Sequence, residues 1–415
     1  MNFGRDTQSS IYRAGATGQK PVVPVAWDTL ESAAQRAMSP AAWAYVAGSS
    51  GAEVTAGNNR RALDAWQIVP RVLRDVSDRD LGIELFGHRY PTPLLAAPVG
   101  VLELVHPSAD LGIAEAAANL GVPYILSSQA SVPMETVSAA MGEAPHWFQL
   151  YWSSNDDLVE SFVQRAEASG AQAIVVTLDT HMLGWRPRDL EAAYLPFIRG
   201  EGIAQYTSDP VFRRLVADRV ANPGSPGPRP RITPTAIRTL RAMTRNVPGG
   251  NPRAAVETFL DVFSRSSLTW QNLAFLRDRT SLPILLKGIQ HPDDAALAID
   301  HGIDGIVVSN HAGRQVDGAI GSAAALPAIV ERVAGRIPVL FDSGVRSGAD
   351  VFRVLALGAS GVLVGRPYAY GLAIAGAAGA EAVLRNIIAE FDLVLGLSGH
   401  RSVAELSPAA LRPAG

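Results

Sequence analysis

Residues Gly305–Gly318 read GIVVSNHAGRQVDG. A short apolar run, Gly305 to Val308, passes directly into Ser309, Asn310 and His311, and Arg314 follows three residues later. A brief continuous apolar run fits a strand buried on both faces, the kind found in parallel sheets covered by helices. The abrupt change to polar residues puts the chemistry-bearing side chains at the strand's C-terminal end.

The same pattern recurs outward in both directions. Similar runs lie at Leu94–Gly100, Val122–Ser128, Trp147–Trp152, Ala173–Asp179, Pro283–Gly288, Gly305–Asn310, Pro338–Gly344 and Gly361–Pro367. Helical patterns fall between them, among them Leu158–Ala168, Asp293–His301, Ala324–Val333 and Ala349–Leu357. Eight such units predict an α/β fold, a (β/α)8 TIM barrel. A doubly wound open sheet is the alternative. One domain is expected over residues 1–415, with the barrel at 93–395 and a C-terminal tail at 396–415. Residues 1–92 form an N-terminal arm and helical segment. The arm, 1–25, reads as extended, with Gly15, Gly18, Pro21 and Pro24 as breakers. Trp27–Ala47 reads as helical. The rhythm stops between Asp179 and Pro283, which predicts a long loop insertion after the fourth strand, at about residues 180–270. Asn222–Thr233 and Val247–Pro252 are rich in Pro and Gly. An insertion in that position lies over the active face of a barrel as a lid.

Bulk properties exclude several classes. The net charge of −3 carries no basic footprint for nucleic acid. The chain has no cysteine, so disulfides, thiolate metal sites and cysteine nucleophiles are absent, which fits a cytoplasmic protein. Met1–Lys20 is polar and shows no secretory signal. Gly371–Leu384 is interrupted by Glu381 and reads as a packed helix, so no membrane segment is expected. Eight histidines without paired spacing predict no metal site. There is no P-loop, no G-x-S-x-G and no dinucleotide fingerprint after a strand.

The run ends carry the candidate chemistry. Lys287 closes a buried run, and a buried ammonium is costly without an anion. His311 lies beside Arg314, a cation that disfavours imidazolium and leaves the imidazole available as a base. Arg314 can hold a carboxylate through two parallel hydrogen bonds. Gly344 with Arg346, and Gly365 with Arg366, end the seventh and eighth runs, where barrels bind phosphate. Asp179 is either a helix cap or a carboxylate that orients His311. Tyr45 and Tyr151 are either core phenols or substrate contacts.

The ordered set WAYVAG, AAPVG, YILSSQAS, WFQLYW, VVTLDT, LGWRPRD, LPILLKG, SNHAGRQVDG, FDSGVRSG and LVGRP resembles the flavin-dependent 2-hydroxy-acid dehydrogenase and oxidase family. Within it, Trp66–Arg71, APVGVL and GIAQYTSDPVF are most similar to members of the lactate 2-monooxygenase type. The resemblance implies FMN at the C-terminal mouth. It implies that Pro98, Val99 and Gly100 face the flavin and that Ser127, Gln149 and Thr177 bond its ring edge. Lys287 would neutralise charge on the reduced ring, and Ser309 joins the cofactor set. Asp342, Gly344, Arg346, Gly365 and Arg366 would hold the ribityl chain and phosphate. Tyr45, Arg186 and Arg314 would bind the substrate carboxylate, Tyr151 its hydroxyl, and His311, oriented by Asp179, would act as base.

The implied partners are a small (S)-2-hydroxy acid such as L-lactate and molecular oxygen. The implied assembly is a homo-oligomer, a tetramer or octamer. The implied outcome is oxidative decarboxylation, lactate to acetate and CO2. The alternatives are release of keto acid and hydrogen peroxide, or a dehydrogenase that passes electrons to quinone or a protein. A non-redox phosphate-binding isomerase barrel and a catalytically idle flavoprotein scaffold are further rivals. Three positions depart from the common family pattern: Ala312 and Ser343 stand where Gly is frequent, and Gly100 stands where simple oxidases carry Ala. His181, near Arg186, adds a polar group expected beside the site. Lys lacks the planar fork of Arg, so Arg314→Lys is expected to raise the KM for the acid. A KM equal to wild type would count against carboxylate recognition there.

Overall fold

The computed structural model describes residues 2–222, 233–247 and 250–414. The eight apolar runs are eight parallel strands of one closed barrel. They are β1 (Leu94–Ala96), β2 (Tyr124–Ser127), β3 (His146–Leu150), β4 (Ile174–Thr177), β5 (Ile284–Ile289), β6 (Gly305–Val308), β7 (Val339–Phe341) and β8 (Gly361–Val364). Neighbours follow chain order, and β8 closes on β1 through Val362↔Leu94 and Val364↔Ala96. The open-sheet alternative is thereby removed.

Strand alternation sorts the core into two layers. Leu95, Ile125, Trp147, Val175, Leu285, Val307, Leu340 and Leu363, one from each strand, fill the barrel interior. A hairpin, Ile83–Leu85 paired with His88–Tyr90, plugs the N-terminal end of that interior. Its Phe86 ring meets Trp147 edge-on at 5.7 Å. With one end plugged, the C-terminal end is left to form the site. The other side chains of each strand pack outward against the helices. Those helices include Asp156–Ala168, Pro292–Asp300, Ser322–Val333 and Gly348–Ala356, at the four predicted positions.

Three parts differ from the sequence expectation. The N-terminal arm is not extended, because Phe3–Gly15 is a helix. Its breakers all sit at or beyond its end, and it packs along the helix Arg366–Leu397. The Trp27–Ala47 segment is two helices, Trp27–Ala37 and Pro40–Ala47. Ser39 caps the second by accepting from the Ala42 N–H at 3.2 Å, and Pro40 cannot continue the first.

The insertion is largely helical rather than loop. It contains Pro187–Glu191, Ala204–Thr207, Pro210–Ala221, Pro234–Asn246 and Pro252–Val262. Pro187, Pro210, Pro234 and Pro252 each stand in the first turn of a helix, where Pro is tolerated. Asp209, Thr233 and Asn251 precede three of them and cap each helix with a side-chain oxygen. Residues 223–232 and 248–249, which carry much of the Pro and Gly, lie outside the described residues.

Arg366–Leu397 is long and apolar enough to cross a membrane by length and composition alone. It is kinked at Ala375 and Gly376, and residues along it from Pro367 to Leu395 are buried inside the protein. One of these, Asp392, receives the Arg79 Nε and Nη2 donors at 2.6 and 2.9 Å and the Gly4 N–H at 2.7 Å. This carboxylate ties the first helix, the Arg79 segment and the last helix together. Asp392→Ala is expected to destabilise the fold by about 3–5 kcal/mol, because Arg79 is left buried without its carboxylate. A urea midpoint equal to wild type would refute this.

Candidate active site

The strand ends deliver almost every predicted residue to one place. A cavity of about 510 Å³ opens at the C-terminal mouth. Tyr45, Pro98, Val99, Gly100, Tyr151, Arg186, Lys287, His311, Arg314, Asp342, Gly344, Arg346, Gly365 and Arg366 all line it. Ser127, Gln149, Thr177 and Ser309 are buried at the strand ends near it. Sheet register sets these neighbours, pairing Ser127 with Gln149 and Thr177 with Lys287.

Lys287 is buried, and its Nζ lies 2.9 Å from Asp342 Oδ2 and 2.9 Å from Ser309 Oγ. Burial works against the ammonium, but Asp342 and Asp179 outweigh it and hold Lys287 above its ordinary range. Past Lys287 the β5–β6 ladder slips at a bulge, and Gly288 adopts φ +110°. A Cβ at Gly288 would stand 2.9 Å from Asp179 Cβ, so glycine lets Asp179 approach the strand end.

Asp179 Oδ1 lies 2.8 Å from His311 Nδ1, so Asp179 orients the imidazole. Thr180 Oγ1 donates to the same carboxylate oxygen at 3.1 Å. Burial opposes the Asp179 charge, but His311 and Lys287 hold it below the usual carboxylate range. Burial also pushes the His311 imidazole down, more than Asp179 pulls it up, and Lys287 and Arg186 add to the fall. The sequence reading credited a neighbouring cation with this effect; burial is the larger cause. With Nδ1 facing Asp179, His311 Nε2 has no partner among the described residues.

Arg314 Nη1 donates to the carbonyls of Tyr45 and Gly48. Its Nε and Nη2 donate to no described residue and remain for a ligand. The guanidinium carbon lies 5.1 Å from the centre of the Tyr45 ring. Burial and the neighbouring Arg186 push Arg314 down to about 9, which still leaves it protonated near neutral pH. Two buried cations short of counter-charge make a carboxylate site. Burial raises both cavity phenols, Tyr151 to about 12, so each stays a hydrogen-bond donor.

At the phosphate end, Arg346 lies over the Trp27 ring at 4.5 Å. Arg366 is used differently from expectation. Its guanidinium donates to the carbonyls of Val46, Gly48 and Ala312 and to Ser49 Oγ. What it offers an anion is its backbone N–H at the first turn of the last helix. His181 is exposed, contacts the Leu178 carbonyl and lies outside the cavity lining. A Cβ at Gly100 would meet Gln129 Cβ at 3.0 Å, so this position favours glycine.

Some residues of the site were not singled out beforehand. Gln315 Nε2 donates to the Asp179 and Met182 carbonyls, and its Oε1 accepts from Arg186. It pins the β4 loop to the β6 loop. Asn59 and Asn310 exchange two hydrogen bonds, at 2.8 and 2.6 Å, beneath the His311 turn. Gln315 and Asn310 lie inside the opening stretch. Asn59 sits in the helix Val54–Asp64, where no local pattern marks it.

Two buried polar atoms test whether these residues suit FMN. Gln149 Nε2 and Thr177 Oγ1 have no hydrogen-bond partner among the described residues. An unmet amide and an unmet hydroxyl on adjacent strands are what a polar ring edge satisfies. With Lys287 beside them and Arg346 at the far end, the donor set fits a flavin carrying a phosphate.

The comparisons with known proteins agree. A profile of the FMN-dependent dehydrogenase family matches residues 34–413. An FMN-dependent alpha-hydroxy acid dehydrogenase of Penicillium citrinum is 41% identical over 413 residues, covering 99% of this chain and 96% of its own. An L-lactate oxidase of Lysinibacillus sphaericus is 40% identical over 400 residues, covering 96% and 95%. A crystal structure of mandelate oxidase with (S)-4-hydroxymandelic acid superposes with a TM-score of 0.77 at 35% identity, covering 94% of this chain and 98% of that one. Fold and site define a flavin-dependent barrel oxidoreductase. The chain belongs to the FMN-dependent dehydrogenase family, whose cofactor is FMN and whose reaction is the oxidation of 2-hydroxy acids.

Gln149→Ala and Thr177→Val are each expected to weaken FMN binding about tenfold, the loss of one buried hydrogen bond. Quenching of FMN fluorescence on titration into flavin-free protein measures it. Unchanged affinity in both variants would remove them from the ring-edge contacts.

Proposed function

We propose that the chain oxidises a small (S)-2-hydroxy acid, with L-lactate as reference substrate, His311 as base and oxygen as electron acceptor, and that the keto acid is decarboxylated before release. The observation that carries this reading is a neutral His311, held 2.8 Å from Asp179, in one cavity with the free side of Arg314. A base and a carboxylate clamp are what a 2-hydroxy acid requires.

The acid's carboxylate pairs with Arg314 and Arg186. The Tyr45 and Tyr151 phenols, protonated at working pH, donate to the carboxylate and the hydroxyl. Oxidation removes two electrons and two protons, and His311 Nε2 accepts one proton. The ionised Asp179 stabilises the imidazolium that forms. Bound FMN supplies the two-electron acceptor. Lys287 places a fixed positive charge beside the cofactor set.

The insertion supports retention of the keto acid. Its Leu183, Arg186 and Phe197 line the cavity, and Gly202 is latched by its N–H to Glu103 at 2.7 Å. A keto acid held there reacts with hydrogen peroxide to give acetate, CO2 and water. A second reading, release of keto acid and peroxide, is favoured by the 40% identity to an L-lactate oxidase. We also propose a homo-oligomer, a tetramer or octamer, readable by light scattering. The exposed Met182, Trp185 and Leu190 of the insertion support burial against a second copy.

A panel of acids including L-lactate and (S)-mandelate, assayed with oxygen, tests the proposal. Acetate and CO2 are expected from lactate, whereas pyruvate with stoichiometric peroxide would establish the second reading. The acid limb of the rate profile is expected below the ordinary imidazole value of about 6.5, because burial keeps His311 neutral to lower pH. His311→Ala should keep FMN yet lose its anaerobic reduction, and a wild-type reduction rate in that variant would refute the base.

A further inference from the structure

The loop after β6 is backbone that only glycine adopts freely. His311, Ala312 and Gly313 follow one another at φ +55°, +54° and +79°. Ser343, on the neighbouring loop after β7, also has positive φ, +85°. Left-handed backbone strains any residue with a Cβ, so something must hold His311 and Ala312 in place.

The amides of this turn end on two hydroxyls. His311 N–H donates to Ser309 Oγ at 3.1 Å. Asn310 and Ala312 N–H donate to Ser343 Oγ at 3.3 and 3.0 Å. Both hydroxyls are anchored on the buried ion pair. Lys287 Nζ donates to Ser309 Oγ at 2.9 Å, and Ser343 Oγ donates to Asp342 Oδ1 at 2.8 Å. A serine hydroxyl has one proton to give and two lone pairs. Ser343 uses all three, so its orientation is fully determined.

We propose that Ser343 is a positioning residue, whose hydroxyl transmits the fixed geometry of the Lys287–Asp342 pair to the left-handed turn that aims His311. The inference rests on the reading of His311 as base. It also accounts for Ala312. A glycine there would hold the turn without strain, whereas the alanine depends on the Ser343 bond to its amide.

The titratable and charged groups around His311 are Asp179 after β4, Lys287 of β5, Asp342 after β7, Tyr151 after β3, Tyr45 of the helix Pro40–Ala47, Arg314 on its own loop, Arg186 of the insertion and Arg366 of the last helix, which donates to the Ala312 carbonyl. None changes in the variants below. A loosened turn admits water to His311, so its imidazole should rise toward its ordinary value.

The test is anaerobic stopped-flow reduction of the FMN-loaded enzyme, using whichever 2-hydroxy acid of the panel reduces wild type fastest. Ser343→Ala is expected to lower the limiting rate about 10–100-fold, with the half-saturating acid concentration moving less than about threefold. Its acid limb should move to higher pH. NMR titration of His311 in flavin-free protein should show the same rise without any turnover. Adding Ala312→Gly to Ser343→Ala should restore the rate to within about threefold of wild type, because the turn then holds itself. If Ser343→Ala fails to fold, Ser343→Cys, a weaker acceptor in the same place, should itself show a limiting rate below wild type and an acid limb at higher pH. Wild-type rate, limb and imidazole titration in the Ser343 variant overturn the proposal. Retained reduction in His311→Ala overturns the base reading instead, so the two failures are told apart.

Discussion

The ammonium of Lys287 is the constraint around which the mouth is built. It leaves β5 almost without solvent contact, at 4% exposure, and an ion so buried costs several kcal/mol unless it is paired. Its counter-ion, Asp342, comes from the end of β7, two strands away, and Ser309 of β6 fills the interval. Three adjacent strand ends are thus locked at one depth. Asp179 and the His311 loop are set against this lock, through the bulge at Gly288 and the two serine hydroxyls. Removing either charge would leave the other buried and unmatched, so the pair serves the architecture as well as the chemistry.

The rest of the mouth carries an excess of positive charge. Arg186, Arg314, Arg346 and Arg366 all line the cavity, and the backbone carbonyls on which Arg366 rests carry no charge to balance it. Burial and mutual repulsion push Arg314 down to about 9. A carboxylate at one end and a phosphate at the other relieve the excess. Burial, with Lys287 and Arg186 adding to it, holds the His311 imidazole below its ordinary value.

Legibility varied with the range of the interactions. All eight strands, and the end at which the site forms, could be read from the chain, because a parallel barrel strand declares itself by a short apolar run that ends in function. The insertion could be located but not interpreted. Asn222–Thr233 and Val247–Pro252 read as loop from their Pro and Gly, although Thr233 and Asn251 stand as caps before the helices that begin at Pro234 and Pro252. The N-terminal helix was missed for a related reason. Its breakers were counted, but its docking partner, the distant helix carrying Asp392, could not be seen.

The sequence by itself determined the strand count, the residue types at each strand end and so the chemistry available at the mouth. Side-chain alternation and burial are local properties that composition and spacing express directly. Only the tertiary structure decided which groups meet. It joined Lys287 to Asp342, turned the Arg366 guanidinium away to backbone carbonyls, left Gln149 Nε2 and Thr177 Oγ1 without a partner among the described residues, and set Ser343 against the His311 turn. Those choices follow from strand register and from backbone dihedrals at the strand ends. Both are fixed when the barrel closes, by contacts between residues far apart in the chain.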